Sequence, residues 1–286
     1  MFFRISSLFL ILLLACHVSA RSVEDISKIN NHCDNISSKL ASVSYKECLS
    51  HKFEKTGAYS VNGAPIIVKR IHAGPDTDEV VDTKHHRVLI IGGFHGDEYS
   101  TVSIIFKWIT LLNLFYTGTN HWQILPLLNP DGLLQRSSRR TNANGVDLDR
   151  NFPVTANDYN ALQYWEEDTN RDPEYFPGKY ALSEPESQWL AEEIERYRPD
   201  AIITIHAPNH SLGYKSPITK RSKNAAQYQQ SIATYPGSFN QYVGADINIP
   251  ILTVELPYAD IMPTDAEINE IWKNILKWLD INIGST

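Results

Sequence analysis

Val88-Leu89-Ile90-Ile91-Gly92-Gly93-Phe94-His95-Gly96-Asp97-Glu98 decides how this chain is read. Its first part is short, apolar and partly β-branched, which predicts a buried strand from Val88 to Phe94 stopped by glycines. A histidine and a glutamate three residues apart follow at once. In α/β proteins ligands bind beyond the carboxyl ends of the strands, and this pair stands at such an end. Two ligands from one loop and a distant third is a common plan for a zinc site. The rest of the chain has to supply that third ligand and a base.

Outward from this stretch, strands and helices alternate. Pro65-Ile66-Ile67-Val68 reads as a strand, as do Trp122 to Leu128, Ala201 to His206 and Pro250 to Leu256. Asn129-Pro130-Asp131-Gly132 is a turn signal that stops the second of these. Ser100 to Phe115 carries Val102, Ile105, Phe106, Ile109 and Leu112 at helical spacing. Ser183-Glu184-Pro185-Glu186 predicts a helix with Ser183 as N-cap, running to about Tyr197. Thr264 to Leu279 predicts a final amphipathic helix. The alternation argues for an α/β domain with a largely buried sheet. Residues 133 to 182 show little periodicity, and such a stretch in a compact domain is usually functional or a lid.

The 286 residues suffice for a large core, and 42% hydrophobic with 21% charged residues is ordinary for a globular protein. A formal charge of −7 without a Lys/Arg run argues against nucleic acid as a partner. The N-terminus has the pattern of a secretory signal: Arg4, an apolar stretch from Ile5 to Ala15, and the small-residue site Val18-Ser19-Ala20. The apolar stretch is too short to span a bilayer, so the mature chain is expected to have no transmembrane span. Cleavage after Ala20 and a periplasmic location are expected. Leu14-Ala15-Cys16 also resembles a lipobox, which leaves a lipid anchor at Cys16 as the alternative.

Removal of residues 1–20 leaves Cys33 and Cys48. An even pair in an exported chain suggests a disulfide, closing a loop of about 15 residues and contributing about 3 kcal/mol. Two separate thiols are the other reading. A metal site with His32 and His51 fits no common zinc spacing. Asp25 to Leu40 has an imperfect helical pattern through Ile26, Ile29, Ile36 and Leu40, so residues 21–55 read as a small extension stapled to the main domain.

His206 ends the run Ala201-Ile202-Ile203-Thr204-Ile205-His206 and is the candidate third ligand. Alone, a histidine there is more often a satisfied rim residue, and His95 with Glu98 alone is a weak pair. Together they form a His, Glu, His set that leaves a position open for water. Glu255, in Ile251-Leu252-Thr253-Val254-Glu255-Leu256-Pro257, is the candidate base. A carboxylate in an apolar strand is either paired and functional or faces outward on the same side as Thr253, and both readings stand.

With these residues assembled, the chain resembles the M14 family of zinc carboxypeptidases over about residues 60 to 280. The resemblance rests on His95-Gly96-Asp97-Glu98, Asn129-Pro130-Asp131-Gly132, Gly145-Val146-Asp147-Leu148-Asp149-Arg150-Asn151-Phe152, Ile205-His206 and Val254-Glu255-Leu256, in the family's order. It implies a single domain over 56–286, with a mixed central sheet and helices on both faces. It also implies one Zn2+ held by His95, Glu98 and His206, with Glu255 as catalytic carboxylate. Thr141-Asn142-Ala143-Asn144, His206-Ala207-Pro208 and Thr253 to Pro257 look like the branch that cleaves the γ-D-glutamyl–meso-diaminopimelate bond of peptidoglycan peptides.

The same resemblance implies two site arginines, Arg150 and one from the preceding loop. Arg140 is taken for the latter, with Arg136 and Arg139 in the same stretch. The family has Asn where this chain has Asp149. An anionic side chain repels a carboxylate and favours an ammonium, so Asp149 suits a zwitterionic substrate end, unless it only pairs with a neighbouring arginine. Ser238 and Tyr242 line the specificity pocket on this reading, or Gly237-Ser238 is plain turn chemistry. The rival functions are a metallocarboxypeptidase of ordinary peptide C-termini, a deacylase of N-acyl amino acids, and a non-catalytic zinc protein that binds cell-wall peptides.

Overall fold

The computed structural model describes residues 26–73, 85–116, 118–154, 160–207 and 235–284. The expected signal segment, Cys16 and Pro208 lie outside them. Six strands form one sheet: β1 (Glu54–Tyr59), β2 (Pro65–Ile71), β3 (Arg87–Ile91), β4 (His121–Leu125), β5 (Ala201–His206) and β6 (Ile251–Glu255). Their order is β1-β2-β4-β3-β5-β6. The β1–β2 and β2–β4 pairs are antiparallel, while β4, β3, β5 and β6 run parallel. The sheet is therefore mixed.

Alternation along the central strands explains why both faces are covered. Val88, Ile90, Ile203, Ile205, Leu252 and Val254 share one core with α1 (residues 26–39), α2 (Tyr45–Ser50), α3 (Tyr99–Phe115) and α7 (Asp265–Ile283). Leu89, Ile91, Ile202, Ile66 and Val68 share the other with α6 (Pro185–Tyr197) and Phe152, Phe239 and Val243. A strand buried on both faces has no polar side to show, which is why β3 and β5 are mostly apolar, with Val88 to Ile91 and Ala201 to Ile203 unbroken. Two further helices are short, α4 (Pro130–Leu134) and α5 (Ala161–Glu167). None of the described helices is long and apolar enough to cross a membrane. Cys33 and Cys48 form a disulfide that ties α1 to α2 inside the first core.

Several boundaries differ from the sequence reading. β3 ends at Ile91 and β4 at Leu125. Beyond those points the two segments still run side by side, through Leu128 N–H to the Gly92 carbonyl and Asn129 N–H to the Gly93 carbonyl. The positive φ of 61° at Gly93 turns the chain out of the sheet. Asn129 does more than stop a strand: its side chain caps α4 through Gly132 N–H at 2.8 Å. The N-cap of α6 is Glu184, not Ser183, and it makes no side-chain capping bond. Ser183 instead donates to Glu184 Oε1 at 2.7 Å. α7 begins at a capping box of Thr264 and Glu267 and runs on to Ile283, where Gly284 closes it at φ 68°.

Candidate metal centre

The parallel strands deliver three side chains to one edge. His95 follows β3 by the Gly92-Gly93-Phe94 turn, and His206 is the last residue of β5. Glu98 precedes α3 as its N-cap residue. All three are buried. His95 Nδ1 lies 2.8 Å from Glu98 Oε1, and His206 Nδ1 lies 3.7 Å from Glu98 Oε2. One donor atom from each falls within 4.8 Å of the other two, and no other described group has this spacing. Two imidazole nitrogens and a carboxylate form a donor set that zinc accepts.

The loop geometry depends on Gly96. A Cβ there would meet Gly132 C at 2.1 Å and Leu133 N at 2.2 Å, both backbone atoms. The His95-to-Glu98 loop and the Asn129-to-Gly132 turn thus touch main chain to main chain. Only glycine permits that approach. Phe94 stacks on His206 with centroids 5.4 Å apart and planes at 22°, which fixes the second imidazole.

Asp147, which no sequence argument singled out, sits behind the candidate ligands. It is fully buried and receives His95 Nε2 at 3.1 Å, Arg140 Nη2 at 2.8 Å and Arg150 Nε at 3.1 Å. Burial alone would raise its pKa, but Arg140 and His95 hold the carboxyl well below the usual carboxylate range. An acid that accepts from the outer nitrogen of a ligand histidine fixes that ring's orientation. Burial and Arg140 oppose charge on His95, yet Glu98 and Asp147 raise its pKa to about 10. A metal ion binding here displaces that proton. Burial, then His95 and Arg140, keep His206 neutral by lowering its pKa.

Glu255 ends β6 directly opposite His206 in the β5–β6 register. Burial and then the Glu98 charge push its carboxyl up to about 8, against the pull of His95 and Arg140. The glutamate thus stands at the mouth of the site rather than on a solvated outer face with Thr253, which is buried and accepts from Thr204 Oγ1 at 3.0 Å.

Of the three loop arginines, Arg140 faces the ligands. Its Nη1 lies 3.2 Å from His95 Nδ1 and 3.9 Å from Glu98 Oε1. Arg136 and Arg139 are exposed. Arg150 is held between two tyrosines, 4.5 Å from the Tyr175 ring and 3.9 Å from the Tyr235 ring. Asp149 is buried, and its hydrogen-bond partner is the Tyr235 hydroxyl at 2.7 Å, not an arginine. Burial, then Asp147, raises the Asp149 pKa. Tyr235 was missed in the sequence. Its signal was only its place before Pro236-Gly237-Ser238, one residue from a turn.

Ser238 and Tyr242 are both buried. Ser238 Oγ accepts from Gln241 N–H at 3.2 Å, which is the turn chemistry. Tyr242 stacks on Phe152 with centroids 5.4 Å apart inside the second core.

The residues match known proteins in the same way. Residues 52–222 fit the family profile Peptidase M14, described as zinc carboxypeptidase. Murein peptide amidase A of Escherichia coli (strain K12) is 30% identical over 197 residues, covering 66% of this chain and 79% of that protein. Murein peptide amidase A of Vibrio campbellii is 32% identical over 178 residues, covering 60% and 69%. The crystal structure of carboxypeptidase A from Helicoverpa armigera shares the fold, with a TM-score of 0.55 at 20% identity over 82% of this chain and 70% of that one.

Proposed function

The chain belongs to the zinc carboxypeptidase family and is a metallopeptidase, and on that premise we propose that it is an exported zinc enzyme of peptidoglycan-derived peptides. Its bond is the amide between γ-D-glutamate and meso-diaminopimelate. The relatives named murein peptide amidase A support the substrate class. One observation carries the reading: His95, Glu98 and His206 converge within 4.8 Å, with Glu255 in register beside His206.

His95, Glu98 and His206 would hold Zn2+, which when bound supplies a Lewis acid and lowers the pKa of water. Glu255 takes the proton from the attacking water and passes it to the leaving amine nitrogen. Its partly dry position keeps its proton affinity in the range where it can both accept and donate. Arg140, anchored on Asp147 through Nε and Nη2, directs Nη1 at the oxyanion. Arg150 spends Nε on Asp147 and keeps its terminal nitrogens for a substrate carboxylate. Asp149, which accepts from the Tyr235 hydroxyl, would take a substrate ammonium, so it and Arg150 together suit the zwitterionic end of diaminopimelate.

Incubation with purified muropeptides and reading of product masses tests this. Release of diaminopimelate-containing fragments is expected. Loss of only a terminal D-amino acid would make the enzyme a carboxypeptidase of ordinary C-termini, the reading that Arg150 alone favours. Zinc-loaded protein without any turnover would make it a binding protein. Export, with residues 1–20 as signal, is tested by the N-terminus of the secreted form, and retention of a lipidated Cys16 would replace simple cleavage.

A further inference from the structure

We propose that Lys39 is a positioning residue of this site: it pins the 135–140 loop so that Arg140 stays aimed, and the Cys33–Cys48 disulfide keeps Lys39 there. The inference rests on the reading of Arg140 as the oxyanion group.

Lys39 lies in the last turn of α1, far from the metal ligands in sequence. Its Nζ donates to the Gln135 carbonyl at 2.7 Å and the Arg136 carbonyl at 3.2 Å. Gln135 is the C-cap of α4, where helix carbonyls lack intrahelical donors and a cation is favoured. The same Nζ stands 5.8 Å above the Tyr99 ring, next in sequence to Glu98. The other end of the loop is held by groups beside the ligands. Asn129 Nδ2 and Gly96 N–H donate to the Arg140 carbonyl at 3.0 and 3.4 Å, and Arg139 N–H donates to the Gly132 carbonyl at 3.1 Å. The guanidinium that faces His95 is thus carried by a loop tied at one end to the metal loop and at the other to a charge from the N-terminal extension.

That extension is itself fastened to α3. Ser42 Oγ meets Ser103 Oγ at 2.6 Å, and Lys107 Nζ pairs with Glu47 at 3.2 Å. The disulfide joins α1, which carries Lys39, to α2, which carries Glu47, and Ser42 lies in the turn between them. α1, α2 and α3 form a bracket that begins at Glu98 and ends on the Arg140 loop. Misplacing a catalytic group by about 1 Å can cost about a hundredfold in rate, so a bracket of this kind bears on turnover more than on substrate binding.

The test uses the full mature chain with zinc. Lys39→Met, Lys39→Arg and Arg140→Lys are compared on muropeptide, and trypsin cleavage after the exposed Arg136 is followed by mass. For Lys39→Met, kcat falls about tenfold, KM stays within about twofold and cleavage after Arg136 accelerates, while Lys39→Arg restores all three. Paired Cys33→Ser and Cys48→Ser substitutions act in the same direction and add little to Lys39→Met. Wild-type kcat and wild-type trypsin protection in Lys39→Met overturn the proposal, as does a loss that Lys39→Arg fails to restore. If Arg140→Lys loses kcat and Lys39→Met does not, the proposal alone falls. If Arg140→Lys keeps wild-type kcat, the reading of Arg140 falls and takes the proposal with it.

Discussion

His206 and Glu255 face each other across the last rung of the β5–β6 ladder, and Leu256 N–H closes that rung on the His206 carbonyl at 2.7 Å. The candidate ligand and the candidate base are therefore set by one strand pairing. A slip of β6 by one residue would turn Glu255 to the other face and leave His206 where it is. The placing of this pair is a property of the sheet, whereas His95 and Glu98 come from the loop after β3.

Glu255→Gln keeps the size of the side chain and removes its proton chemistry. We expect kcat/KM to fall by about 10²–10⁴ with zinc still bound. Metal content by atomic emission and turnover on muropeptide check both halves. Full activity would remove Glu255 from the mechanism.

Asp147→Asn leaves His95 Nε2 without its anionic partner. Zinc affinity should drop about 10- to 100-fold, as for other acids that orient a ligand histidine. Titration against a chelator of known affinity reads it. Unchanged affinity would reduce Asp147 to an anchor for Arg140 and Arg150.

Asp149→Asn removes the charge beside Arg150 while keeping an acceptor for the Tyr235 hydroxyl. Preference should move from murein peptides toward peptides ending in a plain carboxylate, by about tenfold in the ratio of kcat/KM values. Competition between the two substrates in one tube measures the ratio. An unchanged ratio would leave Asp149 a structural residue.

Glu186 gives stability a pH dependence of unusual sign. It is buried, accepts from Val61 N–H at 3.2 Å and Asn142 Nδ2 at 3.3 Å, and burial raises its pKa from 4.5 to about 7. Between those values the folded state binds more protons than the unfolded, so this contribution is full below pH 4.5 and is lost as pH rises through about 7. His32, lowered by burial from 6.5 to about 4, works the other way, its contribution being lost as pH falls through that window. Glu186→Gln should therefore gain stability over wild type at pH 8 relative to pH 5, on the order of 2 kcal/mol. Urea unfolding of both proteins at both pH values isolates the term, and an equal difference at the two values would exclude it.

Much of this was legible because burial leaves a mark on composition. The run 88–91 is apolar throughout, and 201–205 is apolar but for Thr204, since helices cover both faces of the sheet. The polar residues that end them stand out against that background. Asp147 and Tyr235 carried no such mark. Their partners lie up to 86 residues away in sequence, and an aspartate in a loop looks the same whether it is solvated or holds two arginines. Ser183 misled for a related reason. It fits a capping box, but the chain folds Asn151 against it at 3.0 Å and the helix starts one residue later.

The amino-acid sequence by itself determined the α/β class, the residue types of the candidate metal set and their places at or just beyond strand ends. Periodicity and burial are local properties, so they are written along the chain. Tertiary structure alone decided that Arg140 and not Arg136 or Arg139 faces His95, that Asp149 pairs with a phenol, and that Tyr242 belongs to the core. Each of those outcomes depends on which distant segment packs alongside, and long-range packing is fixed by the fit of whole elements rather than by any short run of residues.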